Sequence, residues 1–383
     1  MRSILHIITG LGPGGAEGML ARLITHPEAQ AGLRHHVMAL GPRGPVADLL
    51  ESHGVPVTAI GYGSHRGALS SLTRLVQQTR RLAPDLVQGW MYHGNLAASV
   101  AGTLASTRSP VVWNVRQSLE IQREKPATAR VIRTCQRYPW PPRVVVYNSH
   151  TAAGQHAEFG FPLMDVVIAN GFDVERFSPG RSDRSKVASR HGLDPSRPWI
   201  GYVARFHPLK DHRTFLRAAR RLLDQGVAAQ FILAGEGTDP GNELLGRWIR
   251  EFELQREVRG LGSISDIARL TASLDVGTSA SASEAFPNAI GESMAAGVAP
   301  VATDVGDVAE LVGDCGWIVP AGDAEALSDR WGGVLALTPE ERKREGLRAR
   351  ERICRRFELA VVVRRYRRLW ADLMSGGLRY EVG

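Results

Sequence analysis

The chain has 383 residues, too many for one ordinary hydrophobic core, so two domains are the first expectation. A hydrophobic share of 43% and a charged share of 22% are those of a soluble globular protein, and no run reaches the about 18 apolar residues of a membrane span. The formal charge of +8 is concentrated between Arg342 and Arg368, where twelve Lys/Arg face three Glu; the remainder is close to neutral, which argues against a general nucleic-acid binder.

In chain order, MRSILHIITG runs straight into a turn with no small-residue cleavage site, so it reads as a first strand and not as a signal peptide. Short apolar runs then recur, each followed by a turn and a longer amphipathic stretch. HHVMAL, DLVQGW, VVWNV, RVVVYNS and VVIANG complete the first half; WIGYVAR, QFILAG, EVRGLG, DVGTSA and VAPVATD form the second. Continuous apolar strands alternating with helices predict parallel sheets covered on both faces. Two such series predict two doubly wound α/β domains, residues 1–178 and 179–355, with the boundary in the Ser-, Arg-, Asp- and Pro-rich stretch 177–198. Ligands of open α/β sheets bind beyond the carboxyl ends of the strands, so two such domains facing each other would line a cleft with those loops. Cys135, Cys315 and Cys354 show neither metal-ligand nor redox spacing, which points to a cytoplasmic setting.

The loop GLGPGGAEGML (10–20) joins the first strand to a helix pattern. Gly14 and Gly15 would let the backbone approach a ligand, with an anion favoured at the helix start; a tight turn without a ligand is the alternative. The loop lacks the Lys of a P-loop, so a nucleoside triphosphate is not expected, and no acidic residue closes a clear second strand to take a ribose, so neither is a dinucleotide. In GYVARFHPLKDHRTFLRAAR (201–220), Arg205 at a strand end and Lys210 near a helix start could straddle a diphosphate, or be a solvated pair. Gly235, Gly237 and the loop at 260–263 could pass close under a flat nucleobase, or be ordinary turns, and the helix that follows is capped by Ser265 or Asp266.

Glu284 and Glu292 sit in SASEAFPNAIGESMAAG. Eight residues on one helix would separate them by about 12 Å along the axis, too far for a retaining hydrolase dyad. Pro287 belongs at a helix's first turn, so Glu284 is expected in the preceding loop and Glu292 about a turn inside. The backbone of Phe286, Pro287, Asn288 and Ala289 would then meet an anion or a hydroxyl. Two carboxylates so placed would grip separate polyols; they would not form a hydrolytic pair.

VARFHPLKDH, SEAFPNAIGESMAAGVAPVATDVG and VIANGFDVERFSP resemble the shared motifs of retaining GT-B glycosyltransferases, the glycosyl transferase group 1 enzymes of polysaccharide and lipopolysaccharide assembly, with the two glutamates matching the E-x7-E element. The resemblance implies two Rossmann-like domains and a terminal helix, 356–374, crossing back to the first. It implies that Arg205 and Lys210 neutralise the departing diphosphate, that Glu284 holds hydroxyls of the transferred sugar and Glu292 those of the ribose. The amides near Phe286–Ala289 would line sugar and phosphate, Gly235, Gly237, Leu261 and Ile264 the nucleotide, and Gly14 and Gly15 would let the first domain close onto donor and acceptor.

One departure stands out. Many relatives carry His-x-His where this chain has Gln88 and Trp90, which leaves His93 as the candidate catalytic histidine and Arg116 as a candidate acceptor or phosphate contact. No Asp-x-Asp occurs, so no metal and no cofactor is expected; Lys210, Arg205 and helix starts would supply the positive field. The implied reaction is metal-independent, retaining hexosyl transfer from a nucleotide sugar, UDP-linked, to a glycan or polyprenyl-diphosphate-linked acceptor. A GT-B nucleotide-sugar epimerase and a non-catalytic sugar-nucleotide binder are the alternatives. RRFELAVVVRRYRRLW reads as a single helix with Phe357, Val361, Tyr366, Leu369 and Trp370 near one side. Its arginines, with a second basic stretch at Arg116–Arg143, would suit an anionic surface on the inner face of the plasma membrane.

Overall fold

The computed structural model describes residues 1–62, 67–162 and 164–377. Contacts divide the chain into two units, Met1–Gly171 together with the chain from Leu359 on, and Phe172–Glu358. The first is built on β1 (Arg2–Ile8), β2 (Leu33–Ala39), β3 (Val57–Ala59), β4 (Leu86–Trp90), β5 (Val111–Val115), β6 (Val144–Tyr147) and β7 (Asp165–Val167). They form one sheet in the order β3-β2-β1-β4-β5-β6-β7, parallel at every pairing. The second contains β8 (Trp199–Val203), β9 (Gln230–Ala234), β10 (Val258–Gly260), β11 (Val276–Ser279), β12 (Ala299–Thr303) and β13 (Trp317–Val319), in the order β10-β9-β8-β11-β12-β13, again all parallel.

Both sheets reverse their direction of growth once, between β1 and β4 in the first and between β8 and β11 in the second. Loops leaving the carboxyl ends of strands at such a reversal diverge and leave a crevice. The sequence pattern anticipates every strand except β3 and β13. These are three-residue edge strands, each paired on one side only, as are β7 and β10, which the pattern does anticipate.

The boundary between units falls at Gly171, earlier than the expected 178. Residues 172–177 pack in the second unit: the Phe172 amide donates to the Phe357 carbonyl (2.8 Å), the Phe172 ring stacks on Phe286 (centroids 6.2 Å), and Arg350 Nη1 donates to the carbonyls of Val174 (3.1 Å) and Phe177 (2.9 Å). The terminal basic stretch is also not one helix. Pro339–Arg356 ends at Phe357, Glu358 bridges to Phe172, and a separate helix, Leu359–Met374, begins beyond. Its buried face is Val362, Val363, Tyr366, Leu369, Trp370 and Leu373, while Val361 is only half-buried and Phe357 packs on Phe286 in the second unit.

Helix Leu359–Met374 is held to the first sheet by polar as well as apolar contacts. Trp370 Nε1 donates to Gln88 Oε1 (2.8 Å), and the Tyr366 hydroxyl accepts from Asn114 Nδ2 and Arg116 Nη1 (each 2.8 Å). Trp90 Nε1 donates to His6 Nδ1 (3.2 Å), which leaves the His6 proton on Nε2, facing His35 Nδ1 at 3.0 Å; His35 Nε2–H then donates to the Ala29 carbonyl (3.0 Å). Every hydrogen of this chain is used only when both imidazoles are neutral. Burial accordingly holds His6 well below the usual histidine value and His35 at about 4.

Burial also lowers His156 and His212 to about 4. Above about pH 6.5 these rings are neutral whether the chain is folded or unfolded, so they do not alter stability with pH. As pH falls from about 6.5 towards 4, the unfolded chain takes up protons that the folded one cannot, and stability declines by up to about 1.4 kcal/mol per pH unit for each ring. Urea denaturation should therefore show a lower midpoint at pH 5 than at pH 7.5; equal midpoints would contradict the buried neutral histidines.

Candidate active site

In the second unit the loops that leave β8 and β11, on either side of the reversal, converge. After Val203 the chain turns outward through Arg205, and Pro208–Lys210 forms a single 3-10 turn because proline starts it and lacks the N–H to extend a helix backwards. Asp211 caps the helix His212–Asp224, its carboxylate accepting from the Thr214 amide (3.1 Å). From β11 the chain runs through Ser281 and Glu284 to Pro287, the residue just before the helix Asn288–Ala295, with Glu292 a turn inside. The Ala282 amide donates to the Leu209 carbonyl (2.9 Å) and ties the two loops together, while Thr303 Oγ1 donates to the Ser281 carbonyl (2.6 Å).

A cavity of about 220 Å³ lies where these loops meet, lined by Lys210, Ser279, Glu284, the Phe286–Ile290 turn and Glu292, with Tyr202 and the end of β8 behind them. Lys210 Nζ is ion-paired to Glu284 Oε1, with side-chain exposures of 22% and 15%, so both charges are largely withdrawn from water. The same carboxylate oxygen accepts from Ser281 Oγ (2.8 Å). Helix Asn288–Ala295 starts at the cavity wall, so its positive end faces an anion or hydroxyl placed there. Pro287 contributes no N–H, which narrows the expected amide set to Phe286, Asn288 and Ala289. Gly306 closes the back of the Glu284 loop. At φ +57° it lies so near that a Cβ there would sit 2.0 Å from the Glu284 carbonyl oxygen.

The remaining expected donor residues stand beside this cavity and do not line it. Arg205 is exposed on the loop after β8. Gly235, Gly237, Leu261 and Ile264 belong to the loops after β9 and β10, which are bonded to one another through Gly235 N to Gly262 O and Leu261 N to Leu233 O (each 2.8 Å). Asp266, not Ser265, caps the following helix, accepting from the Arg269 amide (3.2 Å). Sequence reasoning missed Tyr202, Ser279 and Ser281. Their signal was the alternation S-A-S-A-S ahead of Glu284, which places hydroxyls of Ser279 and Ser281 on one side of an extended chain.

In the first unit, Gly14 and Gly15 are exposed at the start of the helix Gly15–Thr25, just after β1; Gly14 is extended, at φ −159°, a conformation open to any residue. His93 lies half-buried in the first turn of the helix Met91–Leu104, just after β4, and burial lowers its pKa against the opposing pull of Glu124. Arg116 is engaged within the unit. Its guanidinium donates to Asn170 Oδ1 (3.1 Å), Asn114 Oδ1 (3.1 Å) and the Tyr366 hydroxyl (2.8 Å), and lies 5.9 Å from the Trp90 ring centre. Among the described residues no three His, Cys, Asp or Glu side chains converge to hold a metal ion.

Residues 197–336 match the family described as Glycosyl transferases group 1, and residues 13–176 the family described as Glycosyltransferase Family 4. The chain belongs to the group 1 glycosyltransferases. It is 26% identical over 234 residues to the N-acetyl-alpha-D-glucosaminyl L-malate synthase of Bacillus anthracis, covering 60% of each chain. It is 31% identical over 173 residues to the lipopolysaccharide core biosynthesis mannosyltransferase LpsB of Rhizobium meliloti (strain 1021), covering 43% of this chain and 49% of that one. The matched stretches thus span 60% and 49% of these relatives' own lengths. Among solved structures, Anabaena HepE in complex with UDP and glucose has a TM-score of 0.83 at 23% identity, covering 97% of this chain and 100% of that one. The fold is GT-B, two parallel-sheet Rossmann-like units.

Gly235 gives a direct test of the loop packing. It has φ +144° and a Cβ there would fall 2.3 Å from the Ala204 carbonyl oxygen. Gly235→Ala should destabilise the protein by about 3 kcal/mol, through both the backbone conformation and the overlap. An unshifted denaturation midpoint would contradict this packing.

Proposed function

We propose that this protein is a retaining, metal-independent glycosyltransferase that moves a hexose from a uridine-diphosphate sugar to a glycan or polyprenyl-diphosphate-linked acceptor in polysaccharide assembly. The observation that carries the proposal is the cavity after β8 and β11, where Lys210, Glu284, Glu292 and a helix start converge. A cation and a helix start suit a diphosphate, and two carboxylates, one on the loop and one inside the helix, suit the hydroxyls of two sugars. Membership of the group 1 glycosyltransferases supports the reaction class, and the UDP and glucose held by Anabaena HepE support a uridine donor.

In this reading Lys210, with Arg205 reaching in from its loop, and the amides of Phe286, Asn288 and Ala289 stabilise the charge that develops on the leaving diphosphate. Glu284 holds hydroxyls of the transferred sugar and Glu292 those of the ribose. Gly235, Gly237, Leu261 and Ile264 receive the base. The acceptor hydroxyl attacks on the face the diphosphate leaves, and a departing phosphate oxygen takes its proton. His93 is the candidate catalytic histidine, Arg116 an acceptor or phosphate contact, and Gly14 and Gly15 take donor and acceptor. Working without a metal is supported by the absence of Asp-x-Asp and by this fixed positive field.

Among the described residues no helix is long and apolar enough to cross a membrane. An anionic inner membrane surface, with the protein in the cytoplasm, is supported by exposed Arg130, Arg133, Arg137 and Arg143 beside Trp140, itself 60% exposed.

A thermal-shift panel of UDP, GDP, ADP and their sugar conjugates in EDTA tests the donor assignment. The expected outcome is a rise with the uridine compounds alone, and about 10- to 100-fold weaker UDP binding in Lys210→Ala, the worth of one charge-assisted hydrogen bond. No shift with any compound would end the nucleotide-sugar reading. A labelled donor should then release UDP only when acceptor is present, and NMR of the product should show the donor's anomeric configuration. Interconversion of the sugar without net UDP release would point to an epimerase instead. Flotation with liposomes containing anionic lipid should recover the protein; equal flotation with neutral liposomes would remove the membrane partner.

A further inference from the structure

Behind the cavity lies a buried ring of polar contacts that runs from the Lys210 side chain back to its own carbonyl. Lys210 Nζ pairs with Glu284 Oε1, which also accepts from Ser281 Oγ (2.8 Å); Ser281 Oγ lies 3.0 Å from the Tyr202 hydroxyl, and that hydroxyl is 2.5 Å from the Lys210 carbonyl oxygen. Tyr202 and Ser281 are 1% and 0% exposed. A carbonyl can only accept, so the Tyr202 hydrogen points to Lys210. The Ser281 hydrogen is then directed to the carboxylate, and Ser279 Oγ, 3.1 Å away, donates to Ser281 in turn. With these orientations each hydrogen goes to one acceptor, the Lys210 carbonyl, the Glu284 carboxylate or Ser281 Oγ, and the Tyr202 and Ser281 oxygens touch without a hydrogen between them. Burial pushes the Tyr202 phenol far above its ordinary value, so it remains a donor across the working range of pH.

From this geometry we infer that Ser281 and Tyr202 are positioning residues, Ser281 aiming the Glu284 carboxylate at the donor's sugar and Tyr202 fixing the turn from which Lys210 reaches the diphosphate. The inference rests on the donor reading above. An ammonium that turns towards a diphosphate shares less of itself with Glu284. What then keeps the carboxylate directed is the Ser281 hydroxyl, and what keeps the lysine's own backbone in place is the Tyr202 hydroxyl. The two loops are joined besides through Ala282 N to Leu209 O, so a shift in either is felt by the other. The Ala282–Leu209 bond thus couples the part of the site that takes the diphosphate to the part that takes the sugar.

Calorimetry with UDP and with UDP-glucose on the wild type, Ser281→Ala, Ser281→Thr, Tyr202→Phe and the Ser281→Ala/Tyr202→Phe pair tests this. Ser281→Ala should bind UDP within about twofold of wild type and UDP-glucose roughly tenfold more weakly, the worth of one charge-assisted hydrogen bond. Ser281→Thr, which keeps the hydroxyl, should restore the sugar's contribution. Tyr202→Phe should weaken both ligands, and the double variant should lose less than the product of the single losses, since the two loops are joined and a shift in one already moves the other. A merely structural role predicts lower thermal stability with an unchanged ratio of UDP-glucose to UDP affinity. That unchanged ratio in Ser281→Ala, or single losses that multiply independently, overturns the inference while the donor reading stands. Wild-type protein that binds neither nucleotide overturns both.

Discussion

The half-buried ion pair between Lys210 and Glu284 is the constraint on which the site depends. Two charges at these exposures are largely withdrawn from water, and each is answered by the other. Each therefore holds the other in place, and the loops that carry them must be held as well. The Leu209–Ala282 backbone bond, the Thr303 hydroxyl on the Ser281 carbonyl and the close packing of Gly306 against Glu284 all act on that one requirement. The result is a site in which cation, carboxylate and helix start are in position before any ligand arrives, which limits the ordering that binding must bring about.

The wall carrying Glu292 is supported from the other side by aromatic packing. Phe172 lies against Gly291 on the helix Asn288–Ala295 and stacks on Phe286, which in turn meets Phe357. Arg350 gathers the carbonyls of Val174, Phe177 and Ala295 at one guanidinium. Both stretches where the chain passes from one unit to the other are thereby packed beneath the helix that forms the cavity wall. This is why the boundary lies at Gly171 and Leu359 and not in the more polar segment that follows.

In the first unit the positions that many relatives fill with His-x-His are turned inward. Residues 88 and 90 share one face of β4, and here that face meets the helix Leu359–Met374. Gln88 accepts from Trp370, and Trp90 donates into the His6–His35 chain. Arg116 closes the same layer by joining Asn114, Asn170 and Tyr366. Several arginines of the basic tail serve packing in the same way: Arg364 pairs with Glu28 at 3.2 Å, and Arg367 donates to the carbonyls of Glu28 and Ala31. The local excess of positive charge in the sequence is therefore only in part a surface property.

Much of the fold was legible because buried parallel strands must be continuous apolar runs, and among the described residues eleven of the thirteen strands announce themselves that way. The place of Glu284 before Pro287 and of Glu292 a turn beyond it was legible too, since proline's missing N–H constrains where a helix can begin. Local chemistry of this kind is written into neighbouring residues. What the tertiary structure alone decided involves partners far apart in the chain: that Lys210 meets Glu284 and leaves Arg205 on the surface, that Tyr202 and Ser281 stand behind them, and that Arg116, Gln88 and Trp90 face the terminal helix. The reason is physical. Periodicity and caps depend on residues within a turn or two, whereas a hydrogen bond across 74 or 282 residues depends on how whole strands are ordered in a sheet.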